Sequence, residues 1–284
     1  MDTNKIWLVT GASKGMGLTL VKKLLTEGYK VAATSRDVNV LKDAVGNNSA
    51  NFLPLQVDLV SEVSVSEAIS TAIKHFGKID IVVNNAGYGQ LGTLEELSDI
   101  EARENFDINI FGMLNVIRHT MPHFRENKSG QFINISSIAG FLGGFAGWGI
   151  YNATKFAVAG LSEALAIETK SMGVKTTIVY PGYFKTNFLL KDSLQLSKNP
   201  IAEYKEARDL EVWHDTEAIG NQPGNPEKLA DVFITIAEND NPPLHLFLGS
   251  DSLSMAKGKI ESLQNEIDAN EALTLSTDFQ KQLQ

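Results

Sequence analysis

The sequence contains no cysteine among its 284 residues. Disulfide bonds, cysteine-bound zinc, iron–sulfur clusters and a thiol nucleophile are therefore excluded. Basic residues are also in deficit, because 25 Lys and Arg face 34 Asp and Glu and give a formal charge of −9. This balance argues against a broad nucleic-acid-binding surface. A hydrophobic share of 43% with 21% charged residues is typical of a globular chain with a large core.

A long apolar run is missing as well. Residues 1–5 lead directly into the short apolar stretch 6–9, and no basic leader precedes a long apolar segment, so we expect no signal peptide. Residues 131–154 carry no charge, but five glycines interrupt them, whereas a membrane-spanning helix needs about 20 mostly apolar residues. We interpret this stretch as a buried strand, a glycine-rich loop and a helix start. The expectation is a cytoplasmic protein with no membrane span.

Short apolar runs alternate with helical patterns along the chain. From Val65 to Phe76, apolar residues recur at i, i+3, i+4, i+7, i+8 and i+11, which predicts one apolar helix face. The strand runs are nearly continuous in Val, Ile and Leu, as in buried parallel strands. They are Lys5–Val9, Lys30–Thr34, Phe52–Val57, Ile79–Asn84, Gln131–Ser136, Lys175–Tyr180 and Leu244–Leu248. This alternation predicts an α/β protein: a single-domain Rossmann-type doubly wound parallel sheet of about seven strands with helices on both faces.

The first predicted strand ends in a glycine-rich turn with the sequence T-G-A-S-K-G-M-G over residues 10–17. Glycine lets the backbone turn tightly and lets a ligand approach it, and a helix N-terminus offers free N–H groups to a phosphate. The spacing G-x-x-x-G-x-G differs from the common G-x-G-x-x-G pattern, so a plain tight turn is the alternative. The position of the turn, between the first strand and the first helix, favours a cofactor phosphate site.

Four further motifs follow in order: Asn84-Asn85-Ala86-Gly87, Asn109, Tyr151-x-x-x-Lys155 and Pro181-Gly182. Together with the glycine turn, this set resembles the short-chain dehydrogenase/reductase family over residues 5–250. The resemblance implies an oxidoreductase that binds a nicotinamide dinucleotide. The cofactor-binding residues that it implies are Gly11, Ser13, Lys14, Gly15, Met16, Gly17, Ser35, Arg36, Asp58, Leu59, Asn85, Ala86, Gly87, Tyr151, Lys155, Pro181, Gly182 and Thr186.

The end of the second strand bears on the choice between NAD and NADP. Ser35 stands where NAD-preferring members usually carry an acidic residue for the ribose 2′-hydroxyl, and Arg36 follows it. Lys14 offers a second basic group, and a guanidinium suits a phosphate dianion. We therefore expect NADP(H), with solvated surface charges as the alternative. Asp37 conflicts with this expectation unless it pairs with Arg36 or caps the next helix. Asp58 resembles the adenine-contacting residue of the family, and a helix cap is its alternative.

Tyr151 and Lys155 lie four residues apart on a predicted helix and therefore share a face. A tyrosine has an ordinary pKa of about 10, which a lysine cation and the positive nicotinamide of the oxidised cofactor would lower. Tyr151 then acts as the general acid in carbonyl reduction and as the base in alcohol oxidation. By the resemblance, Ser137 binds the substrate oxygen, with a one-residue loop insertion before Tyr151 and with Ser136 as the alternative. Asn109 would hold a water beside Lys155; a helix-capping or core amide is its alternative.

Residues 183–224 interrupt the strand–helix rhythm with a long connection, which we name the substrate lid. Aromatic residues of the lid and of the preceding glycine-rich loop suit an apolar pocket, with plain packing of the lid as the alternative. The predicted substrate-binding residues are Ser137, Phe141, Phe145, Trp148, Tyr183, Phe188 and Trp213. Thr186 fits the family pattern P-G-x-x-x-T and would hold the nicotinamide carboxamide. His119 and His123 lack an accompanying carboxylate motif, so we expect no metal site.

The predicted organisation is a Rossmann-fold NADP-binding and catalytic domain over residues 1–250, which contains the substrate lid, and a C-terminal helical extension and tail over 251–284. We predict an NADPH-dependent carbonyl reductase, reversible as an alcohol dehydrogenase, with a bulky or lipophilic small-molecule substrate. Because members of the family are often dimers or tetramers, we expect a homo-oligomer. The alternatives are a 3-oxoacyl-carrier-protein-type reductase and a non-catalytic NADP-binding sensor.

Overall fold

The computed structural model describes residues 3–46, 49–190 and 193–279. A parallel sheet of seven strands forms its centre. In chain order the strands are β1 (Ile6–Val9), β2 (Lys30–Ser35), β3 (Phe52–Gln56), β4 (Ile81–Asn84), β6 (Gly130–Ile135), β7 (Val174–Pro181) and β9 (His245–Leu248). The strands β5 (Gly89–Leu91) and β8 (Leu194–Leu196) form a separate pair. The spatial order is β3-β2-β1-β4-β6-β7-β9. All seven predicted strands are present, and the predicted doubly wound α/β fold is confirmed.

The order of the strands reverses at β1. The chain first builds outward through β2 to β3, and then returns to place β4 on the other side of β1. Val9 at the end of β1 is in register with Ala33 on one side and Val83 on the other. Connections leave these strand ends in opposite directions, which opens a crevice at their carboxyl edge.

Helices cover both faces of the sheet. They are α1 (Gly15–Thr26), α2 (Val38–Val45), α3 (Glu62–Phe76), α4 (Asp99–Phe106), α5 (Gly112–Asn127), α6 (Gly149–Thr169), α7 (Lys205–Trp213), α8 (Pro226–Glu238), α9 (Ser250–Ala269) and α10 (Glu271–Leu275). Side chains of a strand alternate between the faces of its sheet. Trp7 and Val9 of β1 accordingly join the core with α1 and α8, whereas Leu8 joins the core with α3 and α5.

Helix α3 shows how the sequence sets its own limits. Ser61 caps the N-terminus, because its hydroxyl accepts a hydrogen bond from Ser64 N at 3.3 Å. Gly77 ends the helix in the left-handed region at a φ of 89°. Between them the predicted apolar face is confirmed, with Val65 and Ile69 buried against the sheet.

The substrate lid contains regular structure that the sequence analysis did not predict. Strand β8 (Leu194–Leu196) lies within it and pairs in parallel with β5 (Gly89–Leu91), and α7 follows. Each of the two strands has only three residues, which is too short for a periodic hydrophobic pattern to stand out.

The C-terminal extension is mainly the long helix α9, in agreement with the helical extension predicted over residues 251–284. Its first turns rest on the domain, where the Ser252 hydroxyl donates to Tyr180 O at 2.7 Å. The predicted tail includes residues 280–284, which lie outside the described residues. Across residues 3–46, 49–190 and 193–279, the helices are all too short or too polar to traverse a lipid bilayer.

Candidate active site

The glycine turn and the motif that follows β4 lock together at the crevice. The Thr10 hydroxyl accepts hydrogen bonds from Asn85 N and Ala86 N, both at 3.1 Å. Asn85 Nδ2 returns two bonds, to Thr10 O at 2.9 Å and to Gly11 O at 3.0 Å. Gly11 has a φ of +65°, and a Cβ there would lie 2.7 Å from Ala86 Cα. A Cβ on Gly17 would lie 2.5 Å from Asn85 Nδ2, so both glycines are required for this close packing.

A cleft of about 660 Å³ opens above these motifs. It is bordered by most of the predicted cofactor residues: Gly11, Ser13, Lys14, Gly15, Met16, Ser35, Arg36, Asp58, Leu59, Asn85, Ala86, Gly87, Tyr151, Lys155 and Thr186. Pro181 and Gly182 border an adjoining smaller pocket instead. Gly17 is buried beneath the turn and acts there through packing.

The N-terminus of α1 faces this cleft and suits an anionic group. Lys14, which cannot accept a hydrogen bond through its side chain, occupies the N-cap of α1. Asp37 and Ser61, by contrast, cap α2 and α3 through side-chain oxygens. The first N–H groups of α1 therefore have no side-chain cap at Lys14 and suit a phosphate, and Gly15, with a φ of +57°, leaves the backbone open there. The residues present fit the phosphates of a dinucleotide.

The structure decides between the roles that the sequence left open for two aspartates. Asp37 Oδ1 accepts from Asn39 N at 2.8 Å and from Val40 N at 3.2 Å, so Asp37 caps α2. Asp58 Oδ1 accepts from Val60 N at 3.1 Å, while the cap of α3 is Ser61. Asp58 therefore borders the cleft without capping the helix.

Tyr151 lies where the cleft meets the smaller pocket, and the Ser137 hydroxyl is close enough to the Tyr151 hydroxyl to act on its pKa. Ser136 is engaged elsewhere, because its hydroxyl donates to Lys155 O at 2.8 Å. Of the two serines, Ser137 is thus the one beside Tyr151. Burial raises the pKa of Tyr151 above its usual range, and the hydrogen bond to Ser137 offsets this only in part. The expected lowering of the Tyr151 pKa is not found in the chain alone.

Lys155 is buried next to Tyr151, with Nζ 5.7 Å from the centre of the tyrosine ring. Its ammonium donates to Ile135 O at 2.9 Å. Burial lowers the pKa of Lys155 to about 8, because an apolar environment disfavours the charged form. The α6 face that the sequence predicted therefore brings both side chains to one end of the cleft.

Asn109 lies in a single π-helical turn between α4 and α5. Its Oδ1 accepts from Tyr88 N at 3.0 Å, and its Nδ2 donates to Tyr88 O and Thr154 Oγ1, both at 3.1 Å. A Cβ on Gly87 would lie 2.9 Å from Asn109 Oδ1 and 3.6 Å from Lys155 Nζ. The Asn109 amide is thus a bonded core amide close to Lys155, and its part in a proton relay stays a prediction.

Aromatic rings border the smaller pocket, which has a volume of about 100 Å³. The predicted substrate residues found there are Ser137, Phe145, Trp148, Tyr183 and Phe188. The rings of Trp148 and Phe188 approach the Tyr151 ring, with centroids at 5.1 Å and 5.9 Å. Tyr151, Thr186 and Phe188 border both cavities, so the pocket opens onto the cleft at the candidate catalytic group.

Two predicted substrate residues lie away from this pocket. The Phe141 ring packs between Tyr180 and Phe247, at 6.0 Å and 5.0 Å, and so fills a gap beside the sheet. Trp213 packs on the outer side of Tyr183 at 5.8 Å and remains 38% exposed. The aromatic character of these residues suggested a pocket position, but their rings pack against other parts of the protein.

No sequence pattern singled out His214 as a functional residue. It is buried within the substrate lid, and its Nε2 lies 3.2 Å from the Tyr183 hydroxyl. Its ring packs on Trp148 at 5.4 Å. Burial lowers the pKa of His214, which favours the neutral imidazole. A Tyr–His pair more than 30 residues apart in sequence has no local pattern that would predict it.

The substrate lid is fastened by a buried carboxylate on the segment between β5 and α4. Glu96 Oε1 accepts from Ile201 N at 2.6 Å, and its Oε2 accepts from Thr93 N at 2.7 Å and from Arg208 at 3.0 Å. Burial opposes the charge, but these donors together hold the pKa of Glu96 below its ordinary value.

A second buried carboxylate supports the same fastening. Glu101 forms a capping box with Ser98, and its Oε1 accepts from Lys198 N at 3.2 Å. Burial raises the pKa of Glu101, but the Ser98 and Lys198 donors outweigh it and the pKa is lowered. Both carboxylates therefore bind backbone N–H groups of the substrate lid.

The histidine pair of α5 separates into two different contacts. His119 Nε2 lies 3.1 Å from Glu62, and His123 Nε2 accepts from Ile79 N at 3.1 Å. Among the residues that the structure describes, no three His, Asp or Glu side chains are grouped as a metal site requires.

Several known oxidoreductases are similar to the chain over most of its length. The model of the short chain dehydrogenase family matches residues 5–196. The uncharacterized oxidoreductase C162.03 of Schizosaccharomyces pombe is 34% identical over 272 residues, 95% of this chain and 90% of that protein. The 3-ketodihydrosphingosine reductase of Bacteroides thetaiotaomicron is 33% identical over 247 residues, 86% of this chain and 88% of that protein. Retinol dehydrogenase 8 of Bos taurus is 31% identical over 258 residues, 86% of this chain and 81% of that protein.

Solved structures share the fold. A short-chain dehydrogenase from Streptomyces avermitilis has a TM-score of 0.88 at 32% identity and covers 96% of this chain and 100% of its own. ElxO, solved with NADP bound, has a TM-score of 0.72 at 26% identity, with 88% and 99% covered. A Burkholderia phymatum relative in complex with NAD has a TM-score of 0.79 at 22% identity, with 92% and 95% covered. With its family motifs gathered around one cleft, the chain belongs to the short-chain dehydrogenase family of oxidoreductases.

Proposed function

We propose that the protein is an NADPH-dependent carbonyl reductase that acts on ketones or aldehydes, and that the reaction reverses as alcohol oxidation. The observation that carries this proposal is the position of Tyr151. Tyr151 lies beside Ser137, where a cleft of about 660 Å³ meets a pocket with several aromatic walls. Such a junction suits a proton donor that serves a carbonyl group held between cofactor and pocket.

The roles of the three side chains follow from their chemistry. Bound NADPH supplies the hydride that the carbonyl carbon receives. Tyr151 donates its proton to the carbonyl oxygen, and the product is an alcohol. Because burial keeps the pKa of Tyr151 above its usual range, the phenol is protonated at neutral pH, as a general acid requires. Ser137 orients the oxygen through a hydrogen bond, and Lys155 binds the nicotinamide ribose from its buried position.

The preference for NADPH rests on three residues at the far end of the cleft. Arg36 and Lys14 both border it, and a guanidinium can hold a 2′-phosphate with two parallel hydrogen bonds. Ser35 ends β2 in place of an acidic residue, and Asp37 is turned to the cap of α2. Since the solved relatives hold NADP in one case and NAD in another, these residues of the chain itself carry the choice.

The lining of the pocket supports a lipophilic substrate, and its volume of about 100 Å³ holds the part of a bulky substrate next to the carbonyl group. The walls are mainly apolar, and the hydroxyl groups among them belong to Ser136, Ser137, Tyr151, Tyr183 and Thr186. Two relatives are named for their action on 3-ketodihydrosphingosine and retinol, which are both largely hydrocarbon. A long-chain ketone or an apolar aldehyde is therefore the substrate class that we propose.

The test follows NADPH oxidation at 340 nm with a panel of ketones and aldehydes, and repeats it with NADH. We expect turnover with NADPH, and a loss of roughly 10²- to 10⁴-fold in kcat for Tyr151→Phe with NADPH binding retained. A tyrosine-to-phenylalanine variant of ElxO was likewise solved with NADPH bound. Tyr180→Phe is the matched control, because its hydroxyl contacts His245 away from both cavities. Binding of NADPH without turnover on any substrate would favour a non-catalytic sensor.

A further inference from the structure

Helix α9 carries an apolar stripe that the domain covers only at its start. Leu253, Ala256, Ile260, Leu263 and Ile267 recur at alternating spacings of three and four, the pattern of a coiled-coil seam. Ala256 is buried against the domain at 3% exposure, whereas Ile260 and Ile267 are 56% and 62% exposed. The stripe therefore continues past the edge of the domain into solvent.

The charges beside the stripe change sign along the helix. Lys257, Lys259 and the single acid Glu261 flank the beginning of the projecting part, which is net positive, whereas Glu266 and Asp268 flank its distal end. If two copies of α9 pair antiparallel, the lysines of each copy meet the acidic residues of the other. A parallel pair would instead bring like charges together, which destabilises helix pairs. We propose that the projecting part of α9 pairs antiparallel with the α9 helix of a second copy of this chain.

A helix of this length has little stability without such support. The exposed part, residues 257–269, is close to the limit of about 12–15 residues below which an isolated helix is marginal in water. Gly258 lowers its stability further, because glycine is a poor helix former. Burial of Ile260, Leu263 and Ile267 against a second helix supplies the missing packing. The short seam predicts a weak association that depends on concentration.

Charge argues against a lipid surface as the occupant. Residues 250–279 contain six acidic and two basic side chains. Anionic membranes attract basic segments, so this helix would be repelled from them. The apolar stripe is also narrow, as in a helix seam, whereas interfacial helices present a broad apolar face beside a basic one.

The first experiment compares two double variants of the full chain by sedimentation velocity over a wide concentration range. Ile260→Glu with Ile267→Glu places two charges on the stripe, and we expect the dissociation constant of the pair to rise at least tenfold. If another surface also associates, the particle mass falls by half. Ser262→Glu with Asn265→Glu adds the same charge to the opposite face and should leave association unchanged. Binding of NADPH and circular dichroism check that each variant is folded.

The second experiment tests the orientation. Lys257→Glu with Lys259→Glu should weaken association. The further changes Glu266→Lys and Asp268→Lys in the same chain should restore it, because the charges of these four positions are then all reversed. A parallel pair predicts no such restoration.

Three results would overturn the proposal. The wild-type chain could sediment at the mass of one copy at every concentration. The stripe and control variants could behave alike, or the full charge reversal could fail to restore association. Flotation with phosphatidylcholine vesicles tests lipid as the alternative occupant of the stripe. If the wild-type chain binds the vesicles and Ile260→Glu with Ile267→Glu abolishes this binding, the stripe binds lipid and the proposal is wrong.

Discussion

The nucleotide cleft and the substrate lid are held in place by different kinds of contact. The two motifs at the floor of the cleft follow neighbouring paired strands of the large sheet, where the side chains of Thr10 and Asn85 bond main-chain groups and Gly11 permits close approach. The lid is held by the short strand pair of β8 with β5 and by the side chains of Glu96 and Glu101, which bind its backbone N–H groups. A cleft built on the paired strands of the large sheet leaves little room for variation, whereas a lid on one short strand pair and a few side chains can change without disturbing the cofactor site.

We expect the largest effect on stability when one of the two carboxylates that hold the lid is changed. In Glu96→Gln, the new amide NH₂ group faces N–H donors, and Arg208 loses one of its two carboxylate partners and keeps only Glu211. Breaking such a pair costs about 3 kcal/mol, the low end of the known range because Arg208 is partly exposed. We expect faster hydrogen exchange at Ile201 N and a lower kcat/KM. The Kd for NADPH should not change if the two regions are independent.

The neighbouring residue supplies the control for this variant. Glu95 contacts the lid only through the exposed Tyr204 hydroxyl, so Glu95→Gln should change hydrogen exchange at Ile201 much less. An equal loss of NADPH affinity in Glu96→Gln would contradict the separation of cleft and lid.

The second effect concerns the stability of the scaffold itself. Burial holds the pKa of Lys155 at about 8, below its ordinary 10.5. Between pH 8 and 10.5 the unfolded chain binds more protons than the folded one, so the free energy of unfolding rises with pH in this range. Below pH 8 the charged amine lowers the free energy of unfolding by about 2–3 kcal/mol. Lys155→Met should therefore be more stable than the wild type at pH 7, with an advantage that shrinks from pH 8 to 10.5.

Urea unfolding at several pH values measures this difference, with Lys74→Met on the exposed side of α3 as the control. An advantage that is constant with pH would show that packing, and not charge burial, separates the two proteins. The buried charge of Lys155 would then not lower the free energy of unfolding.

The scaffold and the motif residues were predictable from the sequence, whereas the lid was largely not. Apolar strand runs and the four-residue spacing on a helix are local signals. The first predicted the seven strands, and the second predicted the placement of Tyr151 beside Lys155. The Glu96–Arg208 and Tyr183–His214 contacts join residues far apart in sequence, so no periodic pattern marks them. Phe141 and Trp213 show the same limit, because an aromatic side chain suits a pocket wall and a packing contact equally well.

The third effect tests the cleft alone. Arg36→Ala removes the guanidinium proposed for the 2′-phosphate, and a hydrogen bond to a charged group contributes about 2 kcal/mol. We expect NADPH to bind roughly 30-fold more weakly, while the Kd for NADH and the KM for the carbonyl substrate stay the same. Fluorescence titration of both coenzymes measures the change, and the exposed Arg125→Ala is the control. Equal weakening of NADH would refute a role at the 2′-phosphate.

The smallest effect is expected on the lid side of the pocket. Tyr183→Phe removes only the hydroxyl that contacts His214 at 3.2 Å and keeps the ring against Trp213. One neutral hydrogen bond contributes about 1 kcal/mol, so the KM for the carbonyl substrate should rise about fivefold without a change in the Kd for NADPH. Tyr204→Phe removes a lid hydroxyl outside the pocket and should leave KM unchanged. If both variants change KM alike, the hydroxyl of Tyr183 acts by holding the lid. If only Tyr183→Phe changes KM, the Tyr183–His214 pair contributes to substrate binding. Substrate specificity then lies in the lid, while the choice of coenzyme lies in the cleft.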